Sequence, residues 1–206
     1  MKILALDLST STGYAVLETE GVLPLSFDQK PQLVEYGRVG ALPLDVETGC
    51  YPWSMLERCR DLGERLGLLV KQVQPNIVVI EETNLGRNRY SQKQLEWIHY
   101  QVLNSIRSFE CAVFYVNTSD WRRKLGTTLT KEDKKLNAKV RKLKKSGDKE
   151  GLRKLGVRGK IGKKHVAIRF VNAYYNLQLR MKDNDVADAI CIGSAYLLGV
   201  ATCDGK

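Results

Sequence analysis

The chain has 206 residues, 43% of them hydrophobic, which fits one globular domain (1–206) with a sizeable core. No stretch reaches the length of a membrane span, and "MKILALDLST" is too short and too acidic for a signal peptide, so a cytoplasmic setting is expected. A formal charge of +10 points to a polyanion as partner rather than a membrane, and five scattered cysteines with two histidines argue against structural zinc.

In chain order, residues 2–8 read as a strand buried on both faces, because Ile3, Leu4, Ala5, Leu6 and Leu8 form a short apolar run. Asp7 interrupts that run. Alternation places Ile3, Ala5 and Asp7 on one face and Leu4, Leu6 and Leu8 on the other. A carboxylate there loses its water and needs a partner, a proton or a cation.

Further strands are expected at 13–18 and 34–40, with loops through Pro31, Pro43 and Pro52. A helix from about Ser54 to Val73 follows, with Leu56, Leu62, Leu66 and Leu69 on one stripe and Pro75 just beyond its end. "NIVVIEE" is the next strand and closes on Glu81 and Glu82. A helix over 91–109 buries Leu95, Ile98, Val102 and Ile106, and leaves Trp97, Tyr100 and Leu103 on a second face. "CAVFYVN" is the last strand, and Thr118 or Ser119 caps a short helix through Leu125. Two helices, about 163–177 and 184–199, end the chain. A three-strand meander followed by alternating helices and strands makes an α/β domain with a mixed sheet.

The charge is local. From Arg122 to Lys164 there are eighteen Lys/Arg against four Asp/Glu, a net of +14, and the remaining chain is −4. This basic insertion, about 130–164, contains apolar Leu136, Val140 and Leu143 at the spacing of a short amphipathic helix. Glycines 147, 151, 156, 159 and 162 then punctuate a stretch expected to lack a fixed fold until a nucleic acid binds. Arg122, Arg123, Lys134, Lys135, Arg141, Lys142, Lys144, Lys145, Lys160, Lys163 and Lys164 are the expected DNA-binding residues. Without interleaved aromatics, they should contact phosphates and carry little sequence information.

The acids complete the pattern. Asp183, Asp185 and Asp188 open the last helix in "DNDVADAICIG", with Asp183 as its N-cap. Asp185 and Asp188 are three apart and project from one side of a helix otherwise nearly devoid of charge. Carboxylates at two strand ends and on one apolar helix, with no histidine or thiolate near, select hard cations, Mg²⁺ or Mn²⁺. Such a set suits two-metal phosphodiester hydrolysis, with ions roughly 3.5–4 Å apart.

Asp7 in "LALDLSTSTGYAVLE", the acid closing "VVIEE" and the pair in "DNDVADA" resemble, in type and order, the RuvC family of Holliday junction resolvases. That family belongs to the ribonuclease H-like superfamily, and the short length looks most like its phage-encoded members. The resemblance spans residues 2 to about 198, apart from the loop 21–52 and the basic insertion. It implies a five-stranded ribonuclease H-like sheet flanked by helices, a homodimer acting on four-way and other branched DNA, and nicks leaving 5′-phosphate and 3′-hydroxyl ends. It also implies Asp7, Glu81, Asp185 and Asp188 as catalytic metal ligands, with Glu81 chosen over Glu82 because the family's acid directly follows the apolar pair of the strand. Where the family carries an aromatic wedge three residues after that glutamate, this chain has Asn84, with Leu85 or Tyr90 as substitutes nearby.

Two other readings share these features. "LDLSTSTGYAV" also resembles the phosphate-binding turn of actin-like ATPases and sugar kinases, but the second domain and second phosphate loop they need are missing from this sequence. A non-catalytic nucleic-acid-binding protein on the same fold would use the acids only as caps and ion-pair partners.

Overall fold

The computed structural model describes residues 1–41, 50–83, 88–156 and 159–200. Pro43, Asn84, Leu85 and Cys203 lie outside the described residues. Strands β1 (Lys2–Asp7), β2 (Ser11–Glu18) and β3 (Gln32–Gly40) form the antiparallel meander, with Asp7 opposite Gly13. Strand β4 (Ile77–Glu81) runs parallel to β1 on its other side, and β5 (Ala112–Val116) runs parallel to β4. The result is the expected mixed five-stranded sheet, in the order β3-β2-β1-β4-β5.

Alternation along β1 divides the core as its sequence demands. Leu4, Leu6 and Leu8, with Val78 and Ile80, pack under α1 (Trp53–Val73) and α2 (Arg89–Ile106). Ile3, Ala5 and Val79 face the opposite layer, built from α3 (Thr118–Lys124), α6 (Lys163–Tyr175) and α7 (Asn184–Leu197). Helices α1 and α2 approach closely because Gly63 and Gly67 carry no side chain. A Cβ at Gly63 would stand 3.0 Å from the Gln101 backbone, and one at Gly67 3.2 Å from Ser105 Cβ.

Helix α7 lies closer still. A Cβ at Gly193 would meet Leu17 Cδ1 at 2.5 Å and Ala5 Cβ at 2.9 Å. A Cβ at Gly13 would fall 2.0 Å from the Asp185 carbonyl oxygen, so the first turn of α7 rests directly on the β2 backbone. Eleven of the fourteen residues of α7 are buried, Asp188 among them.

Several details differ from the sequence expectation. Asn117, not Thr118 or Ser119, caps α3, its side chain accepting from the Ser119 N–H at 2.8 Å. Asp183 precedes α7, but its carboxylate accepts from the Arg180 N–H at 3.0 Å and closes a 3₁₀ turn, leaving α7 without a side-chain cap.

The basic insertion differs most. Its apolar spacing forms α4 (Lys131–Ser146), the expected amphipathic helix, and its glycine-punctuated part, expected to lack a fixed fold, carries α5 (Lys149–Lys154). Thr130 and Asp133 make a capping box, and Gly147, at φ 71°, ends α4 in the left-handed conformation. Polar side chains dock the helix. Asp133 is 4% exposed and accepts from Arg169 Nη2 at 2.8 and 3.0 Å. Asn137 donates to the Ile161 carbonyl at 2.8 Å and accepts from its N–H at 2.7 Å. Val140 is buried, as its place on the apolar stripe requires.

Among the described residues, no helix is long and apolar enough to cross a membrane. The contact at Gly13 makes a direct prediction. Gly13→Ala forces α7 off β2 and should cost about 3 kcal/mol, as overpacking a tight contact does, read as a lower midpoint in urea unfolding.

Candidate active site

Asp7 ends β1 at the edge where β4 also ends, and the parallel register Leu6↔Ile80 brings Glu81 beside it. Strand alternation puts Glu81 on the face of Val79 and Ala5, which is the α7 face; Glu82 falls on the opposite face. Burial lifts the Asp7 pKa well above its ordinary value of 3.8, and the neighbouring charges of Glu81, Asp188 and Asp185 lift it further. Lys164 opposes the shift. The four acids named from the sequence are therefore electrostatic neighbours in three dimensions, drawn from two strands and one helix.

Each of the other three has a protein partner. Asp188 is 5% exposed and accepts from Arg122 Nη2 at 3.1 Å; its pKa is pushed up to about 6, with burial outweighing the guanidinium. Asp185 pairs with Lys164 Nζ at 3.2 Å, and the same ammonium donates to Asn184 Oδ1. Thr118, the first residue of α3, donates its hydroxyl to Glu81 Oε1.

Two residues expected on the DNA surface thus belong to the site. Arg122 is 7% exposed and lies over Trp121, its Cζ 4.0 Å from the ring centroid, with Nη2 paired to Asp188. Lys164 is half exposed, but it faces Asp185 across the start of α7. Arg123, Lys134, Lys135, Arg141, Lys142, Lys144, Lys145, Lys160 and Lys163 are exposed.

A small cavity of about 110 Å³ is lined by Asp7, Glu81, Glu82, Leu95 and His99. His99 lies 3.2 Å from the Tyr115 hydroxyl, and burial pushes its pKa down to about 4, so it is neutral at physiological pH. Three contributors escaped the sequence reading: Gly13, the Thr118 hydroxyl and the inward turn of Arg122. A glycine in a strand interior is a known mark of close backbone approach, so Gly13 carried a usable signal. The other two depend on how α3 sits against α7.

The donor set is all oxygen, and four carboxylates face two cations, so a hard divalent ion fits the local charge and chemistry. Among the described residues, no three acidic, histidine or cysteine side chains are drawn together tightly enough to grip one ion.

No family model matches the chain, and no curated protein matches it either. Solved structures do. The RuvC of T. thermophilus in complex with Holliday junction substrate aligns with a TM-score of 0.64 over 96% of this chain and 94% of that one, at 16% identity. Another Thermus thermophilus RuvC structure gives 0.62 over 96% and 94%, at 17% identity. The α/β fold is therefore the ribonuclease H-like fold of RuvC, over nearly the whole of both chains.

The raised acids make stability depend on pH in a defined direction. Carboxyls whose folded pKa exceeds the unfolded value hold extra protons in the native state. Their stabilisation is complete below about pH 4 and is lost as pH rises through the folded values, about 6 for Asp188. Asp7→Asn should therefore melt higher than the parent at pH 8 without metal, with the gain vanishing near pH 4. Mg²⁺ at pH 8 should raise the melting temperature of the parent and leave the variant nearly unchanged, both read by calorimetry.

Proposed function

From the RuvC fold and its acid-lined edge, we propose that the protein is a divalent-metal-dependent, structure-selective DNA endonuclease that resolves four-way junctions. One observation carries this reading: Asp7 lies half-buried among Glu81, Asp185 and Asp188 at the end of the central strands, with Lys164 and Arg122 as the cations beside them. A structural protein would gain nothing from such a concentration of like charge.

Asp7, Glu81, Asp185 and Asp188 would hold Mg²⁺ or Mn²⁺, two ions in the proposed scheme. When bound, the ions supply a lowered pKa for the attacking water and neutralise charge at the leaving oxygen. The remaining work belongs to the chain. Asp7 and Glu81 are held rigidly by strands, which fixes the position of the cut phosphate. Arg122 restrains Asp188, and Thr118 restrains Glu81, so the acids keep their orientation when a substrate arrives. Lys164 places a positive charge at the rim, where a phosphodiester must approach. The exposed lysines and arginines of α4 and the segment leading to α6 hold the backbone without reading bases. Departure of the 3′-oxygen would leave a 5′-phosphate.

A symmetric junction calls for two sites, and the outer face of α2 supports a two-fold dimer in this proposal. Tyr100 is 66% exposed and Leu103 36%, and Leu68 of the adjoining α1 is 66% exposed. Tyr90, the remaining substitute for the family's aromatic wedge, is 51% exposed at the start of α2 and lies 5.8 Å from Tyr51, ring to ring.

The deciding experiment offers four-way junction, flap, duplex and RNA–DNA hybrid substrates together, with Mg²⁺ and with EDTA. Paired nicks in the junction, in Mg²⁺ only, are expected. Binding without cleavage of any substrate would establish the non-catalytic reading instead. Asp7→Asn should abolish cleavage while keeping junction affinity. Thr118→Val, which removes an outer partner only, should slow cleavage about 10–100-fold. Tyr100→Glu with Leu103→Glu should sediment as a monomer if α2 is the pairing face; an unchanged dimer would place the contact elsewhere.

A further inference from the structure

The guanidinium of Arg122 is only partly used. Nη2 donates to Asp188, while Nε and Nη1 are buried and have no partner among the described residues. The cation–π contact with Trp121 holds the group over the ring but satisfies none of its N–H donors. Buried donors of a charged group are costly to leave unmade, so their persistence points to a ligand.

A cleft of about 390 Å³ opens beside them, between α3, the 127–129 loop and the starts of α4 and α6. Arg123, Lys134 and Lys163 line it, together with the hydroxyls of Ser119 and Thr128. No carboxylate among the described residues does. The wall is tied to the arginine itself, since the buried Thr127 donates to the Arg122 carbonyl from its N–H at 2.9 Å and from its hydroxyl at 3.3 Å. Four cations and two hydroxyls around one cavity, with the unsatisfied Arg122 donors just behind its wall, are the chemistry of an oxyanion, and the planar fork of arginine suits phosphate.

We infer that this cleft binds a backbone phosphate of the cut strand, next to the scissile one, with Arg122 as the positioning residue that joins that phosphate to Asp188. The inference rests on the endonuclease reading above. One rigid side chain then touches both the strand and an acid of the site, so the strand is registered against the acids by a single group. The exposed lysines of α4 farther out add affinity but no such register.

The test uses the full chain carrying Asp7→Asn, in EDTA, so that only binding is read. Four-way junctions with one neutral methylphosphonate linkage are walked through the nucleotides around the branch point. One linkage should weaken binding about ten-fold or more, the loss expected when charge-assisted hydrogen bonds disappear. Arg122→Lys, and separately Lys134→Ala with Lys163→Ala on the exposed rim, should erase the penalty at that linkage and keep the penalties at the others. Equal penalties at every linkage, or a penalty that survives in both variants, overturns the inference and leaves the nuclease reading standing. Protection by inorganic phosphate without any linkage-specific loss assigns the cleft to a free anion and overturns it too. Failure of the chain to bind any DNA removes the nuclease reading first and this inference with it.

Discussion

Everything at the acidic edge depends on how closely α7 lies on the sheet. A helix normally packs on a sheet through side chains, at a distance that would hold Asp185 and Asp188 away from Asp7. Here Ala5, Gly13 and Gly193 strip the interface to backbone and methyl groups, and the Asp185 carbonyl sits where a Gly13 side chain would be. The apolar character of α7 offsets the electrostatic cost of this approach. Ile190, Ile192 and Leu197 are wholly buried and anchor the helix while its first turns carry the charge. Stability and the acid cluster are thus two ends of one helix.

Charge balance is the second constraint. Asp7 meets three like charges across a site with few counter-charges, and the two cations present are each committed to a different acid. That leaves Asp7 the least compensated member, at the centre of the group. Protonation relieves it at low pH, and a bound cation would relieve it at neutral pH. The fold tolerates the tension because β1 is paired on both sides, with β2 and β4, and cannot move to spread the charges.

The sheet was legible because period-two alternation is a strong signal in buried strands. Leu4, Leu6 and Leu8 separated from Ile3, Ala5 and Asp7 as read, and the same rule puts Glu81 and Glu82 on opposite faces once β4 is known to run beside β1. The helices were legible to within a few residues, and their errors sit at caps, where Asn117 outcompeted the hydroxyls next to it. What remained hidden depends on distant partners. Arg122 looked like one more cation in a basic run, since its burial comes from Trp121 and Asp188, the latter sixty-six residues away. Apart from the apolar stripe at Leu136, Val140 and Leu143, the basic insertion looked unstructured because its composition is that of a disordered segment. Asp133 and Asn137 decide otherwise, through Arg169 and Ile161, and neither pairing has a periodic signature.

The Asn137–Ile161 clamp has a consequence for modularity. The chain leaves the body along α4 and returns, twenty-four residues later, to the side chain it left from. An excursion whose two ends are pinned together can change length without moving what lies outside it. Closing a flexible loop twice as long costs only about 0.6 kcal/mol more. The segment between the pins is therefore free to lengthen, shorten or exchange its charges over generations while the acids stay in place. It is also the natural place for an engineer to graft a different surface.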